Sequence, residues 1–252
     1  MGQVLVTGAR RGIGKAIALA MAKADYNVAV ADIEDSGELQ AVADQIAAMG
    51  MKTVALKADV SDIRTHEKLL DAAEAALGPL TTLINNAGVS VMSRGDLLDV
   101  TAESYDRCMD VNARGTFFLT QAFARRVRKN TTECHRSIIS ITSANATAVS
   151  IARGEYCMSK AAASMMSKLF ASRLSDEDIG VYEIQPGFIE TEMTAPSKVK
   201  YDALIESGLT VIKRFGTPEE VARIALTLAS GLLPYTTGQA IQADGGLLTV
   251  RY

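Results

Sequence analysis

Cysteine, net charge and long apolar runs are all scarce in this sequence, and each scarcity removes a class of protein. The 252-residue chain carries three cysteines, Cys108, Cys134 and Cys157. They form no CxxC pair, and an odd, sparse count argues against a disulfide framework or a structural zinc site and for a reducing compartment. His66 and His135 have no partners at ligand spacing, so no metal is expected. Lys and Arg number 26 against 29 Asp and Glu, a net charge of −3. The diffuse positive field that draws proteins to nucleic acid or anionic lipid is therefore missing, and neither is an expected partner. Nowhere do ~18 apolar residues run together, as a membrane-spanning helix requires. Met1 leads almost directly into Val4-Leu5-Val6, without a basic region or an apolar stretch of signal length, so a soluble cytoplasmic protein is expected.

What remains is an ordinary globular composition, 22% charged and 48% hydrophobic, in a chain long enough to bury roughly three quarters of its unfolded surface. Short β-rich runs recur at Gln3 to Thr7, Asn27 to Asp32, Thr53 to Asp59, Thr82 to Asn85, Arg136 to Ser143, Val181 to Gln185 and Gln239 to Asp244. They are apolar through the middle, as strands covered on both faces are. Stretches of helical spacing lie between them, such as Ala41, Val42, Ile46 and Met49. Gly50 and Gly78-Pro79 are placed to close helices, and Thr217-Pro218-Glu219-Glu220 supplies an N-cap, an N1 proline and a capping-box glutamate. No linker or repeat interrupts the series. Residues 1–252 are therefore expected to form one doubly wound α/β domain of about seven mostly parallel strands, with its ligand crevice beyond their carboxyl ends.

Directly after the first strand stands Thr7-Gly8-Ala9-Arg10-Arg11-Gly12-Ile13-Gly14, leading into a helix-compatible run. The spacing is GxxxGxG rather than GxGxxG, but the physical needs are alike: a tight turn, close backbone approach to a pyrophosphate, and a helix N-terminus whose free N–H groups attract it. A lone glycine triplet would serve equally as a connecting loop. Its position before the first helix, with Asp32 ending the next strand 18 residues after Gly14, favours a dinucleotide whose ribose diol Asp32 holds.

These residues resemble the TGxxxGIG class of the short-chain dehydrogenase/reductase family, and the likeness spans nearly the whole chain. It takes in Asp59-Val60, Asn85-Asn86-Ala87-Gly88, and Asn112 within a long helical stretch from Ala102 to Lys129. The resemblance implies a Rossmann-type domain in which Asp59 and Val60 meet the adenine and Asn86, Ala87 and Gly88 support the cofactor crevice. An Asn-Asn-Ala-Gly loop taken alone is more often a turn.

Tyr156 and Lys160 are four residues apart, so on a helix they share a face, and Ser143 ends a strand 13 residues before the tyrosine. Alone, the pair would read as a surface aromatic beside a solvated lysine. A phenol with a pKa of about 10 is a poor base at neutral pH, and a nearby ammonium favours its ionised form. The resemblance implies that Tyr156 exchanges the substrate proton while Lys160 lowers its pKa and holds the nicotinamide ribose. It further implies that Ser143 bonds the reacting oxygen, that Asn112 organises a water-linked proton path, and that the nicotinamide supplies the hydride. Pro186-Gly187-Phe188-Ile189-Glu190-Thr191 resembles the family's segment beside the nicotinamide, with Thr191 on the carboxamide, although a Pro-Gly turn also accounts for it.

The implied activity is interconversion of a secondary alcohol and a ketone. The nearest branch is 3-oxoacyl-(acyl carrier protein) reductase, on TGARRGIG, GEYCMSK and the ending Thr236-Thr237-Gly238-Gln239 to Asp244-Gly245-Gly246. Polyol, sugar and small-alcohol dehydrogenases carry similar motifs, and a dinucleotide sensor without catalysis is the alternative from another class. The partner expected is a small ketone or alcohol, or a carrier-bound acyl chain. Asp32 repels a 2′-phosphate, so NAD(H) is the expected cofactor, while Arg11 pulls toward NADP(H). Apolar Phe117, Phe118, Leu119 and Phe123, with Met165, Met166, Leu169 and Phe170, exceed one helical face, and with the family resemblance they point to a homotetramer. Residues 191–213 form an apolar-rich insertion that reads as a substrate lid or as a helical pair packed on the body. Arg125-Arg126-Val127-Arg128-Lys129 reads as a solvated face or as a phosphate or carrier dock. Glu155 is expected to face solvent or a partner, because adjacent helical residues diverge by about 100°.

Overall fold

Strands whose successive side chains point to opposite faces can be apolar throughout only if both faces are covered, and the chain meets that condition. A computed structural model describes residues 1–34 and 37–251, the Pro196 side chain, which falls in the expected lid, lying outside the description. Its strands are β1 (Gln3–Thr7), β2 (Asn27–Asp32), β3 (Thr53–Lys57), β4 (Thr82–Asn85), β5 (Arg136–Ile141), β6 (Ile179–Pro186) and β7 (Ala240–Ala243). All pair in parallel, in the order β3-β2-β1-β4-β5-β6-β7. Val4 and Val6 of β1 join Val28, Val30, Ile84, Ile139 and Ile184 in one core. Leu5 joins Ala29, Leu83, Ile138 and Val181 in the other.

Helices α1 (Gly12–Lys23), α2 (Gly37–Ala48) and α8 (Pro218–Ala229) cover the first core. The second is covered by α3 (His66–Leu77), α5 (Thr116–Val127) and α6 (Gly154–Arg173). Gly78 takes φ 91° where α3 stops, and the Thr217–Glu220 capping box forms at the head of α8. No helix among the described residues is long and apolar enough to cross a membrane.

Strands β3 and β5 end earlier than their apolar runs, and β5 hands over to a single turn at Ala144–Ala146 capped by the Ser143 hydroxyl. The expected unbroken helix from Ala102 to Lys129 is also absent. Its place is taken by α4 (Ala102–Met109), a π turn over Asp110–Gly115, and α5. At Gly115 the chain passes so near the loop after β3 that an added Cβ would lie 2.2 Å from the Val60 carbonyl oxygen. The widened turn buries Asn112, which is 2% exposed. Between β6 and α8, residues 191–213 contain a short turn and one helix, α7 (Lys198–Glu206), rather than a helical pair.

The sheet reverses winding direction between β1 and β4, which opens a crevice at their carboxyl ends.

Candidate active site

A cavity of about 470 Å³ occupies that crevice. Its first wall is the turn after β1, where Gly8 and Gly12 adopt φ of +63° and +55°, a region that disfavours residues with a Cβ. Gly14 stands outside the lining, beneath the loop: an added Cβ would meet the Gly8 carbonyl oxygen at 2.1 Å, so this glycine lets α1 seat against the turn. No side chain caps α1, and Gly12 and Ile13 line the cavity at the helix N-terminus. An uncapped N-terminus beside a glycine turn suits a pyrophosphate, so the cradle fits a dinucleotide.

The loop after β4 locks this turn in place. Asn86 Nδ2 donates to the carbonyls of Thr7 and Gly8, both at 2.9 Å, while Thr7 Oγ1 accepts from the amides of Asn86 and Ala87, both at 3.1 Å. Asn86, Ala87 and Gly88 thus line the cavity as the motif implied, and Thr7, which spacing alone does not single out, holds them. Asp59 and Val60 line the same cavity. Asp59 accepts from the Ser61 amide and hydroxyl, and the Val60 carbonyl bonds buried His66 at 2.9 Å, which gives that histidine a structural place. No group of three metal-ligating side chains exists among the described residues.

Charge at the end of β2 is arranged differently from the sequence reading. Arg10, not Arg11, stands beside Asp32, at 3.7 Å, and also pairs with Glu34 and Glu38. Arg11 turns across the crevice to pair with Glu192. Pro186, Gly187, Ile189 and Thr191 line the wall after β6. Thr191 packs on the glycine turn, its Cγ2 being 3.4 Å from where a Gly12 Cβ would lie.

At the opposite end of the cavity, Ser143 meets Tyr156 and Lys160 from the first turns of α6. Tyr156 is 8% and Lys160 6% exposed. The Ser143 hydroxyl bonds the phenol, and Arg153 lies over the ring with Cζ 5.4 Å from the centroid. Burial outweighs both and raises the phenol above its usual pKa, so Tyr156 is an acid that keeps its proton. Lys160 Nζ donates to the Ile141 carbonyl at 3.1 Å and sits 5.8 Å from the Tyr156 ring centroid. Burial depresses the Lys160 ammonium to about 8, opposed by the charge of Glu183 and by Cys108.

Asn112 does not line the cavity. From the π turn it is fixed by Val89, whose amide donates to its Oδ1 at 2.8 Å, and by Ser159, whose Oγ accepts from its Nδ2 at 2.9 Å. Its Oδ1 and Lys160 Nζ nonetheless border the same space beside Gly88, at 3.1 and 3.3 Å from an added Cβ there.

A family model described as enoyl-(acyl carrier protein) reductase matches residues 8–248. A 3-oxoacyl-[acyl-carrier-protein] reductase from Staphylococcus aureus is 32% identical over 246 residues, 96% of each chain. The chain belongs to the short-chain dehydrogenase/reductase family. As a member it is an NAD(P)-dependent oxidoreductase that interconverts a secondary alcohol and a ketone. Among solved members, a 3-oxoacyl-[acyl-carrier protein] reductase from Brucella melitensis in complex with NAD superimposes with a TM-score of 0.96 at 40% identity, covering 100% of this chain and 98% of its own. A chain from Agrobacterium tumefaciens assigned as 2-deoxy-d-gluconate 3-dehydrogenase, with bound NADP, has a TM-score of 0.87 at 30% identity, over 99% and 97%.

Three features of this family member escape its motifs. Glu155 is buried, 3% exposed, and accepts from Ser104 Oγ at 2.6 Å. It does diverge from Tyr156, but α4 rather than water fills that direction, which corrects the expectation of a solvent-facing acid. Glu183, 1% exposed in β6, accepts from Thr142, Ser164 and Gln185. In the basic run, Arg126 is occupied by Glu67, Asp71 and Glu74, and Arg128 by Glu177. Half of that run is thus already paired within the chain.

Ser104→Ala leaves the Glu155 carboxyl buried without this donor, and a lost bond of that kind costs about 1–3 kcal/mol. Urea unfolding is expected to show a lower midpoint with an unchanged slope, and Ser104→Ala combined with Glu155→Leu is expected to recover part of the loss.

Proposed function

We propose that the chain is an NAD(H)-preferring ketone reductase and secondary-alcohol dehydrogenase in which Tyr156 is the proton donor, Lys160 its electrostatic partner and holder of the nicotinamide ribose, and Ser143 the donor to the reacting oxygen. The observation that carries this reading is the burial of Ser143, Tyr156 and Lys160 together at one end of the cavity, with the glycine turn at the other. Bound NADH supplies the hydride. Tyr156, kept protonated by burial, gives its proton to the carbonyl oxygen as that oxygen becomes an alkoxide, and Ser143 orients the oxygen. Asn112, bordering the space beside Lys160, connects it to the Val89 backbone as the start of a proton path. Asp59 and Val60 serve the adenine, and Thr191 the carboxamide. Compounds of the 3-oxoacyl type, free or carrier-bound, are the first substrate class to test, since relatives named for that reaction cover the whole chain. Polyols and sugars are the second, favoured by the resemblance to the Agrobacterium chain.

The preference for NAD(H) rests on Asp32, Glu34 and Glu38 gathered around one guanidinium. Arg10 is committed to them and Arg11 to Glu192, so a 2′-phosphate meets carboxylates rather than a free cation. Each phosphate charge at ~4 Å from Asp32 is disfavoured by roughly 1 to 4 kcal/mol.

Residues 191–213 are the lid. Met193, Ser197 and Tyr201 line the cavity, and Tyr201 stacks on Phe188 at 4.4 Å. Leu209 and Ile212 lie outside the cavity lining, so the underside is set by the front half of the segment. The working assembly is a homotetramer. Phe118, Met165 and Leu169 are exposed on adjoining helices, with Phe117 packed between Phe118 and Phe170 at 5.3 Å from each, and isologous pairing would cover them.

Tyr156→Phe is expected to lower kcat about 100-fold or more while NADH affinity, read by fluorescence titration, stays within about threefold. Lys160→Ala should weaken both. Because Lys160 is an ammonium below about 8 and neutral above it, ketone reduction is expected to fall as pH rises through that value. Steady-state rates with each cofactor should give a higher kcat/KM for NADH than for NADPH, and Asp32→Ser should narrow the difference by about tenfold. Light scattering at micromolar concentration is expected to report four times the chain mass of 26.8 kDa; the single mass would rule out the tetramer.

A further inference from the structure

The cavity's charges are separated by sign. Its carboxylates Asp32, Glu34 and Asp59 line the end after β2 and β3, and Glu192 is tied to Arg11. At the Tyr156 end the charged lining residues other than Lys160 are three arginines: Arg94 after β4, Arg107 on α4 and Arg153 at the head of α6. None of the three makes a salt bridge among the described residues. Arg94 donates to the Tyr201 hydroxyl at 3.4 Å and Arg107 to the Ser90 carbonyl at 3.0 Å, both neutral acceptors. Arg153 donates from Nη2 to Asn145 Oδ1, and its Nε is buried with no acceptor. A guanidinium without a counter-ion over the ring of the proton donor is costly unless an anion completes it.

We infer that the substrate is an oxo acid, or the hydroxy acid formed from it, whose carboxylate is held by Arg153 with Arg94 and Arg107 drawing it in. This rests on the ketone-reductase reading of the same site and narrows its substrate class. Arg153 presents a planar fork that matches a carboxylate and lies within 5.4 Å of the Tyr156 ring centroid, so the held carboxylate and the reacting carbonyl belong to one short molecule. Arg94 and Arg107 are exposed, and Arg94 reaches α7 through Tyr201, which places them on the approach to the site. A neutral thioester or a plain polyol leaves all three cations unmatched. The oxo acid uses them.

The test compares acetoacetate with its methyl ester, probes that share the ketone and differ in the charge, on the full-length enzyme loaded with NADH. Binding is read by nicotinamide fluorescence and turnover by NADH absorbance. Acetoacetate is expected to bind at least tenfold more tightly than the ester, with a preference that shrinks as ionic strength rises. Arg153→Gln should lower the acid-to-ester affinity ratio by about tenfold or more, and Arg153→Lys should restore part of it. Equal binding of acid and ester, or a ratio unmoved by Arg153→Gln, overturns the inference. Tyr156-dependent reduction of the ester without preference for the acid overturns it while leaving the ketone-reductase reading intact. Acid binding that depends on Arg153, with neither probe turned over, supports the carboxylate site and counts against the ketone-reductase reading. Dihydroxyacetone phosphate binding more tightly than acetoacetate, by an Arg153-dependent margin, would overturn the carboxylate in favour of a phosphate.

Discussion

A cation held almost out of reach of water, the Lys160 ammonium, constrains everything around it. Such a group survives burial only where carbonyls and carboxylates compensate for its lost hydration. The Ile141 carbonyl does so by direct contact and Glu183 by its charge. Glu183 in turn is held by hydroxyls from Thr142 and Ser164 and by the Gln185 amide, which joins the region after β5 to α6 and to β6 itself. The buried face of α6 is correspondingly polar, with Ser159, Ser164 and Ser167 alongside Lys160. Apolar packing holds the two faces of the sheet elsewhere; behind the catalytic helix, hydrogen bonds take over.

The opposite end of the crevice is built from backbone rather than charge. Gly8, Gly12 and Gly14 bring the turn, the head of α1 and the Asn86 loop within van der Waals distance of one another. A rigid polar knot on one side and a buried ammonium on the other hold the two ends of a dinucleotide-sized space at fixed separation. Residues 191–194, linked to the turn through Arg11 and Glu192, close the third side.

Much of this was legible in the residues themselves. Alternation of apolar runs located the strands because both faces of the sheet are covered, and the glycine, Asn-Asn-Ala-Gly and Tyr-x-x-x-Lys patterns sit where backbone geometry demands those residue types. What was not legible depends on tertiary neighbours. Which of Arg10 and Arg11 faces Asp32 is decided by the path of a tight turn, not by spacing. Glu155 looked like a surface residue because its partner Ser104 lies 51 positions away, on another helix. The unmatched state of Arg94, Arg107 and Arg153 is invisible until the cavity is assembled. The break in the helix after Met109 has no glycine-proline signature either, since Gly115 is conspicuous only against the Val60 carbonyl.

That break sets an unusual demand on chain length. A π turn closes its hydrogen bonds over one more residue than an α turn, so removing a residue between Asp110 and Gly115 would let the helix run on regularly. Every side chain beyond it would then swing by about 100°. Leu119 and Phe123 would leave the core, and Thr120 would lose the 2.8 Å bond it accepts from Asn85 at the end of β4. Point substitutions along α5 disturb one contact at a time, whereas a single-residue deletion upstream would misalign the whole helix, so the register of this segment is fixed by counting rather than by composition.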